Sequence, residues 1–421
     1  MEICLSSGSV DGVLTPPCSK SYAQRALAVA LLAEGETILR GVDFCDDTLS
    51  AMKCIETLGA EVEPLDPTTL RVIGGLNPAG DLLSIGESGL STRLFTPLAS
   101  LLDREITITG HGSILKRPMT MMIEPLRSLG VKVKDSKGHL PFIVKGPIKG
   151  GEVTVDGSVS SQFITGLLIS LPLADEDTTL KVTKAVSTPY LDMTIETARQ
   201  FGVDIAHRDY QEFFIEGRQK YRATDFTIEG DWSAASALLV AGAIAGSIKL
   251  NNVSMLSKQA DTAICTALVR AGAELINEEN AITVHKRELK GFTFDATQCP
   301  DLFPALVALA AAAEGESVLT GTSRLIHKES NRAEALRNEY AKVGIEVILE
   351  GDNIMRVRGG EIHSTTVDSH NDHRIAMSMA ISALRGKGEM RIQGAECVAK
   401  SYPLFFEDII SIILNSTCKC N

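Results

Sequence analysis

The stretch Ile55-Glu56-Thr57-Leu58-Gly59-Ala60-Glu61-Val62-Glu63 decides how the chain is read. A helical run closes on a glycine, and a short strand pattern follows at once. The phrase returns as LRSLGVKVK around Gly130, ARQFGVDIA around Gly202, LVRAGAELI around Gly272 and YAKVGIEVI around Gly344, at spacings of 71, 72, 70 and 72 residues. Glycine adopts the left-handed conformation that ends a helix without a Cβ penalty, which is why it punctuates every copy. Self-similarity at a fixed period means that one supersecondary unit is repeated along the chain.

A second phrase interleaves with the first: a helix of small apolar residues, a tight turn, then a strand. RALAVALLAEGETILRG from Arg25, LFTPLASLLDREITITG from Leu94 and SALLVAGAIAGSIKL from Ser236 are examples, and six copies turn near residues 35, 104, 176, 246, 315 and 388. Apolar nearly all round, these helices belong inside, whereas the helices of the first phrase carry an amphipathic stripe and belong outside. FFEDIISIIL, residues 405 to 414, reads as a sixth outer helix whose strand is supplied by Glu2 to Ser6. Six units in two groups of three then place both termini in one domain. The chain must cross over twice, at the Pro16 and Pro17 pair and near Asp225 to Gly230. The expected domains are 15–227 and 1–14 with 228–421. A linear solenoid is the alternative, although 70 residues is long for a solenoid unit.

Composition narrows the function. The 421 residues are 44% hydrophobic, enough for two domains near 200 residues each. The longest apolar runs, Ala234 to Gly246 and Leu302 to Ala313, fall short of the roughly 20 residues that span a bilayer. The start, Met-Glu-Ile-Cys-Leu-Ser-Ser, lacks the basic and apolar regions of an export signal, so a cytoplasmic location is expected. Nine scattered cysteines with no Cys-x-x-Cys pair read as reduced thiols, and Cys418 and Cys420 as tail residues rather than a metal site. A formal net charge of -12 argues against nucleic acid. A small anionic substrate stays open if basic residues converge locally.

They are placed to converge. Lys20, Arg25, Arg93, Arg117, Lys328, Arg332, Arg374 and Lys400 all fall near the expected starts of helices. A cation at a helix N-terminus opposes the positive end of the macrodipole, so capping does not explain the pattern. An anion does, because free backbone N–H groups, the dipole and a cation together hold phosphate or carboxylate. Asp231 and Ser158 need no such reading and are taken as caps.

The segments DGSVSSQFITGLL from Asp156, HKESNR from His327, NDHRIAM from Asn371 and CVAKSYPLFFEDI from Cys397 carry a resemblance. In order and spacing they are similar to the 5-enolpyruvylshikimate-3-phosphate synthase family of enolpyruvyl transferases, along essentially the whole chain. The resemblance implies a two-domain inside-out α/β barrel of six α/β units, three per domain, with buried helices enclosed by strands and outer helices and with ligands in the cleft between the domains. It implies that Lys20, Ser21, Arg25, Ser160, Ser161, Gln162, Ser187, Tyr190, Asp301 and Lys328 hold shikimate 3-phosphate. Lys20, Gly89, Arg117, Gln162, Arg332, Arg374 and Lys400 would hold phosphoenolpyruvate. Asp301 would act as base at the 5-hydroxyl, and Glu329, assisted by Lys20, would handle the proton on the methylene carbon. No cofactor or metal is implied, and a monomer is expected.

The chain departs from the family pattern twice. Gly86-Glu87-Ser88-Gly89-Leu90 stands where Gly-Asn-x-Gly-Thr is usual, putting a carboxylate in place of an amide and leaving glyphosate sensitivity open. Arg324 stands where some members have an asparagine. Two other readings remain: the sister transferase that uses UDP-N-acetylglucosamine, and a non-catalytic anion-binding repeat protein. The sister family carries a cysteine where this chain reads Gly110-His111-Gly112-Ser113-Ile114-Leu115-Lys116-Arg117.

Overall fold

All five punctuating glycines are left-handed in the computed structural model: φ is 119° at Gly59, 84° at Gly130, 85° at Gly202, 98° at Gly272 and 86° at Gly344. The structure describes residues 1–326 and 328–414, so His327, Cys418 and Cys420 lie outside it. Among the described residues there are twelve α-helices: α1 Lys20–Leu32, α2 Asp46–Leu58, α3 Gly89–Ala99, α4 Ile123–Ser128, α5 Gln162–Ser170, α6 Pro189–Gln200, α7 Trp232–Ala245, α8 Ile264–Ala271, α9 Phe303–Ala311, α10 Arg332–Lys342, α11 His373–Ala383 and α12 Phe405–Ser411. The odd-numbered helices are buried along almost their whole length, and the even-numbered ones bury a single stripe. The hydropathy of the two phrases separates inner from outer helices because a helix without a polar face has no favourable place at the surface.

The chain divides into two compact units, Cys18–Glu229, and Met1–Pro17 with Gly230–Asn421. Each described unit contains three sheets. In five of the six sheets a short edge strand runs parallel to a central strand, which pairs antiparallel with a hairpin. The sixth lacks a hairpin. There Glu2–Ser6 pairs antiparallel with Glu389–Gln393, as the repeat count requires.

The crossovers exchange edge strands. Val10–Leu14, which precedes Cys18 in the chain, runs parallel to Gly246–Asn251, the strand that follows α7. Asp225–Thr227, which precedes Gly230, runs parallel to Glu36–Arg40, the strand that follows α1. Each unit thus receives the edge strand that the other crossover leaves behind, and among the described residues no central strand is left with an open edge. The cysteines at 4, 18, 45, 54, 265, 299 and 397 are free thiols. Among the described residues, no helix is long and apolar enough to cross a membrane.

Helix packing in the first unit depends on close backbone approach. A Cβ built at Gly166 in α5 would lie 2.3 Å from the carbonyl oxygen of Arg93 in α3. Gly166→Ala is therefore expected to force the two helices apart and to destabilise this unit by about 1–3 kcal/mol, read as a lower denaturation midpoint. An unchanged midpoint would mean that the helices do not touch there.

Candidate active site

In the Cys18–Glu229 unit the starts of α1, α3 and α5 are tied to one another. Gln24 of α1 accepts hydrogen bonds from the hydroxyls of Ser88 and Ser91 at the start of α3, at 3.3 and 2.9 Å. Arg93 of α3 donates from Nη1 to Gln162 Oε1 at the start of α5, at 2.7 Å. Arg25, in the second turn of α1, is fully buried. It donates to Thr194 Oγ1 at 2.9 Å, Ser21 O at 2.7 Å, Thr165 Oγ1 at 3.3 Å and Tyr190 O at 3.1 Å. All four acceptors are neutral. Burial lowers its pKa to about 10, only partly opposed by Tyr22 and Tyr190. A buried cation held by neutral oxygens is costly on its own and is relieved by an anion.

The same unit carries other residues expected in the site. Lys20, the first residue of α1, pairs with Asp47 Oδ2 at 3.0 Å. Ser160 Oγ accepts from the Gln162 amide at 3.2 Å, and Ser161 caps the start of α5 by position. Ser187 is buried with φ at 56°, just before α6, and Tyr190 follows in its first turn.

Gly89 opens α3, capped by Ser88, whose Oγ accepts from the Ser91 amide at 3.2 Å. A Cβ at Gly89 would lie 2.9 Å from Arg117 Nη1 and 3.0 Å from Arg93 Nη1. Glycine here lets two guanidiniums stand against a helix N-terminus, an arrangement that favours an anion. Glu87 is placed to support this arrangement. Its Oε2 accepts from the Ser113 amide at 2.9 Å, at the start of the 3-10 turn Gly112–Lys116 that leads into Arg117. The residue that breaks the family pattern therefore anchors the loop carrying Arg117.

In the second unit a charge-balanced cluster forms around Arg332, the first residue of α10, whose side chain is 0% exposed. It donates to Asp301 Oδ1 at 2.7 Å, Glu329 Oε2 at 2.6 Å and Asp372 Oδ2 at 2.9 Å. Lys328 Nζ reaches Asp301 Oδ1 at 3.1 Å, and Arg374 Nε lies 3.8 Å from it. Lys400 Nζ donates to Asn371 O at 2.8 Å. Arg324 ends the turn Thr322–Arg324 and donates to Thr297 O at 3.4 Å.

Electrostatics sort the carboxylates. Burial alone would raise the pKa of Asp301, but Lys328, Arg374 and Arg332 overcome it and hold the carboxyl well below the usual range. Burial lowers the pKa of Lys328, with Asp301 opposing. Asp261, which accepts from the Ser233 hydroxyl, goes the other way: burial, reinforced by the charge of Asp301, lifts it to about 6.

Several sequence expectations need correction. Arg117, Lys328 and Lys400 are not at helix starts. Arg117 and Lys400 lie at the ends of 3-10 turns, and Lys328 in the loop before α10. Asp231 does cap α7, accepting from the Ala234 amide at 2.8 Å. Ser158 caps nothing: its amide donates to Asp156 Oδ1 at 2.9 Å, and α5 begins only at Gln162. Asp261 and Asp47 carry no distinguishing signal in the sequence: Asp261 is a lone acid in a turn, and Asp47 follows Asp46 in what reads as an ordinary acidic first turn of an outer helix. Asp372 was visible in the NDHR phrase, but its role as a partner of Arg332 was not.

Comparison with known proteins places these residues in context. The family model described as EPSP synthase (3-phosphoshikimate 1-carboxyvinyltransferase) matches residues 6–409. A 3-phosphoshikimate 1-carboxyvinyltransferase of Clostridium novyi (strain NT) is 35% identical over 418 residues, covering 97% of this chain and 96% of that protein. One from Methanosarcina acetivorans is 37% identical over 424 residues, covering 98% of each. The solved EPSP synthase of Acinetobacter baumannii superposes with a TM-score of 0.85 at 28% identity, covering 100% of this chain and 99% of that one.

Asp261 gives a pH signature. Its folded pKa of about 6 lies above the ordinary 3.8, so its contribution to stability is full below the ordinary value and is lost as pH rises through about 6. Asp261→Asn should therefore gain stability relative to the native chain as pH goes from 4 to 7, by up to about 3 kcal/mol. Denaturation of both proteins across that range checks it, and a pH-independent difference would overturn the assignment.

Proposed function

The chain belongs to the EPSP synthase (3-phosphoshikimate 1-carboxyvinyltransferase) family, and from this premise we infer that it moves the enolpyruvyl group of phosphoenolpyruvate to the 5-hydroxyl of shikimate 3-phosphate, releasing phosphate. This is a step of chorismate and aromatic amino acid biosynthesis. The observation that carries the chemistry is the cluster at Arg332, where two partly exposed carboxylates, Asp301 and Glu329, are held among cations. The same reading has the enzyme working as a monomer in the cytoplasm.

The reaction needs two proton transfers. The methylene carbon of phosphoenolpyruvate gains a proton, leaving its neighbour electron-poor. The 5-oxygen of shikimate 3-phosphate bonds to that neighbour as its own proton leaves. The tetrahedral adduct then loses the proton on carbon and expels phosphate. In this scheme Asp301 accepts the hydroxyl proton, and Glu329, with Lys20, gives and recovers the proton on carbon. Arg117, Arg332, Arg374, Lys400, Gln162 and the Gly89 backbone bind phosphoenolpyruvate. Lys20, Ser21, Arg25, Ser160, Ser161, Gln162, Ser187, Tyr190, Asp301 and Lys328 bind the acceptor.

One electrostatic consequence follows. A carboxylate held far below its ordinary pKa is a poor base, and in the unliganded chain the cations that lower Asp301 include proposed phosphoenolpyruvate ligands. An arriving anion draws Arg332 and Arg374 toward itself, which returns to Asp301 the basicity that taking the hydroxyl proton needs and frees Glu329 from its ion pair so that it can carry the proton it gives to carbon. Arg25, held only by neutral oxygens, supports an anionic acceptor in the other unit.

Purified protein mixed with phosphoenolpyruvate and shikimate 3-phosphate should release phosphate, and with UDP-N-acetylglucosamine as acceptor it should not. Absence of release with the first acceptor overturns the reading. Asp301→Asn or Glu329→Gln should lower kcat by roughly 10²–10⁴-fold with far smaller changes in substrate binding.

A further inference from the structure

Glu339 stands two turns into α10 from Arg332, and no role in binding or proton transfer falls to it. Its side chain is only 1% exposed. Both oxygens are nevertheless engaged. Lys342 Nζ donates to them at 2.9 and 2.7 Å, the Asp368 amide donates to Oε2 at 2.9 Å, and His370 Nε2 lies 2.7 Å from Oε1. A carboxylate can only accept, so the ring nitrogen facing it carries the proton and donates.

The segment held in this way is strained. His370 and Asn371 are consecutive non-glycine residues with φ at 53° and 54°, a conformation that persists only where the surroundings impose it. Ser369 fixes the turn from the other side, with its hydroxyl donating to Gly394 O at 3.0 Å and accepting from the Asn371 amide at 3.2 Å. The output of the turn is the site itself. The Asn371 carbonyl meets Lys400 Nζ, and Asp372 holds Arg332 and accepts from the Arg374 amide at 3.0 Å at the start of α11.

We propose that Glu339 is a positioning residue for phosphoenolpyruvate: by gripping Asp368 and His370 it holds the left-handed turn that sets the places of Lys400, Asp372 and Arg374. Because α10 also begins with Arg332, one helix sets the first guanidinium directly and the second through this turn. The inference rests on the reading of Lys400, Arg332 and Arg374 as phosphoenolpyruvate ligands.

The test uses the full chain and compares Glu339→Gln and His370→Ala, the second at an exposed position, with the melting temperature of each followed beside its kinetics. Each is expected to raise the KM for phosphoenolpyruvate, by about tenfold for Glu339→Gln and severalfold for His370→Ala, while leaving the KM for shikimate 3-phosphate within about twofold. A merely structural role would lower the melting temperature and the active fraction but move neither KM. The exposed Asn371 side chain makes no hydrogen bond to any described residue, so adding Asn371→Gly to Glu339→Gln removes left-handed strain and keeps the carbonyl that Lys400 meets. It should recover part of the lost phosphoenolpyruvate affinity. No phosphate release from the unmodified chain would overturn the functional reading. An active native chain with an unchanged phosphoenolpyruvate KM in both variants, or with both KM values raised alike, would overturn the role of Glu339.

Discussion

The guanidinium of Arg332 has no contact with water and must be neutralised by the protein itself. Three carboxylates do this, and each comes from a different place in the chain: Asp301 before α9, Glu329 in the loop before α10, and Asp372 at the cap of α11. Leaving such a charge without partners would cost several kcal/mol, so the three segments are obliged to meet. The position of Asp301 between Arg332, Lys328 and Arg374, and its depressed pKa, follow from that requirement. The chemistry assigned to Asp301 and Glu329 uses groups whose first duty is to balance a buried cation.

The other unit solves a different problem with similar parts. Arg25 is as deeply buried as Arg332 but is held by hydroxyls and carbonyls alone. The same repeat frame therefore carries one guanidinium whose charge is internally cancelled and one whose charge is only solvated by dipoles. The first suits exchange of partners when an anion arrives, and the second suits standing attraction for an anion. Glu87 belongs to neither group. Its Oε2 accepts from the Ser113 amide, which braces the turn that leads into Arg117.

Repetition also explains why an outer helix can govern the site. In five of the six repeats an outer helix follows the central strand and precedes the hairpin, and α2, α4, α8 and α10 each pack against the edge strand of the next repeat. Glu339 uses that adjacency to reach Asp368, the last residue of the strand Thr366–Asp368. The turn that it holds is short, polar and strained, the kind of segment that needs an external grip to keep one geometry.

Much of this was legible in the residues alone. Five glycines at nearly constant spacing marked helix ends, small apolar runs marked buried helices, and the count of strands required Glu2–Ser6 to complete the last sheet. These features are local, or depend on a count, and local sterics and hydropathy decide them. The exchange of Val10–Leu14 and Asp225–Thr227 between sheets was not legible, nor were the partners of Arg332, the raised pKa of Asp261 or the grip of Glu339. Arg332 is 31 residues from Asp301 and 40 from Asp372. Which carboxylate meets which cation at such separations is settled by how helices and sheets pack, because the charge only becomes costly once packing has removed the water.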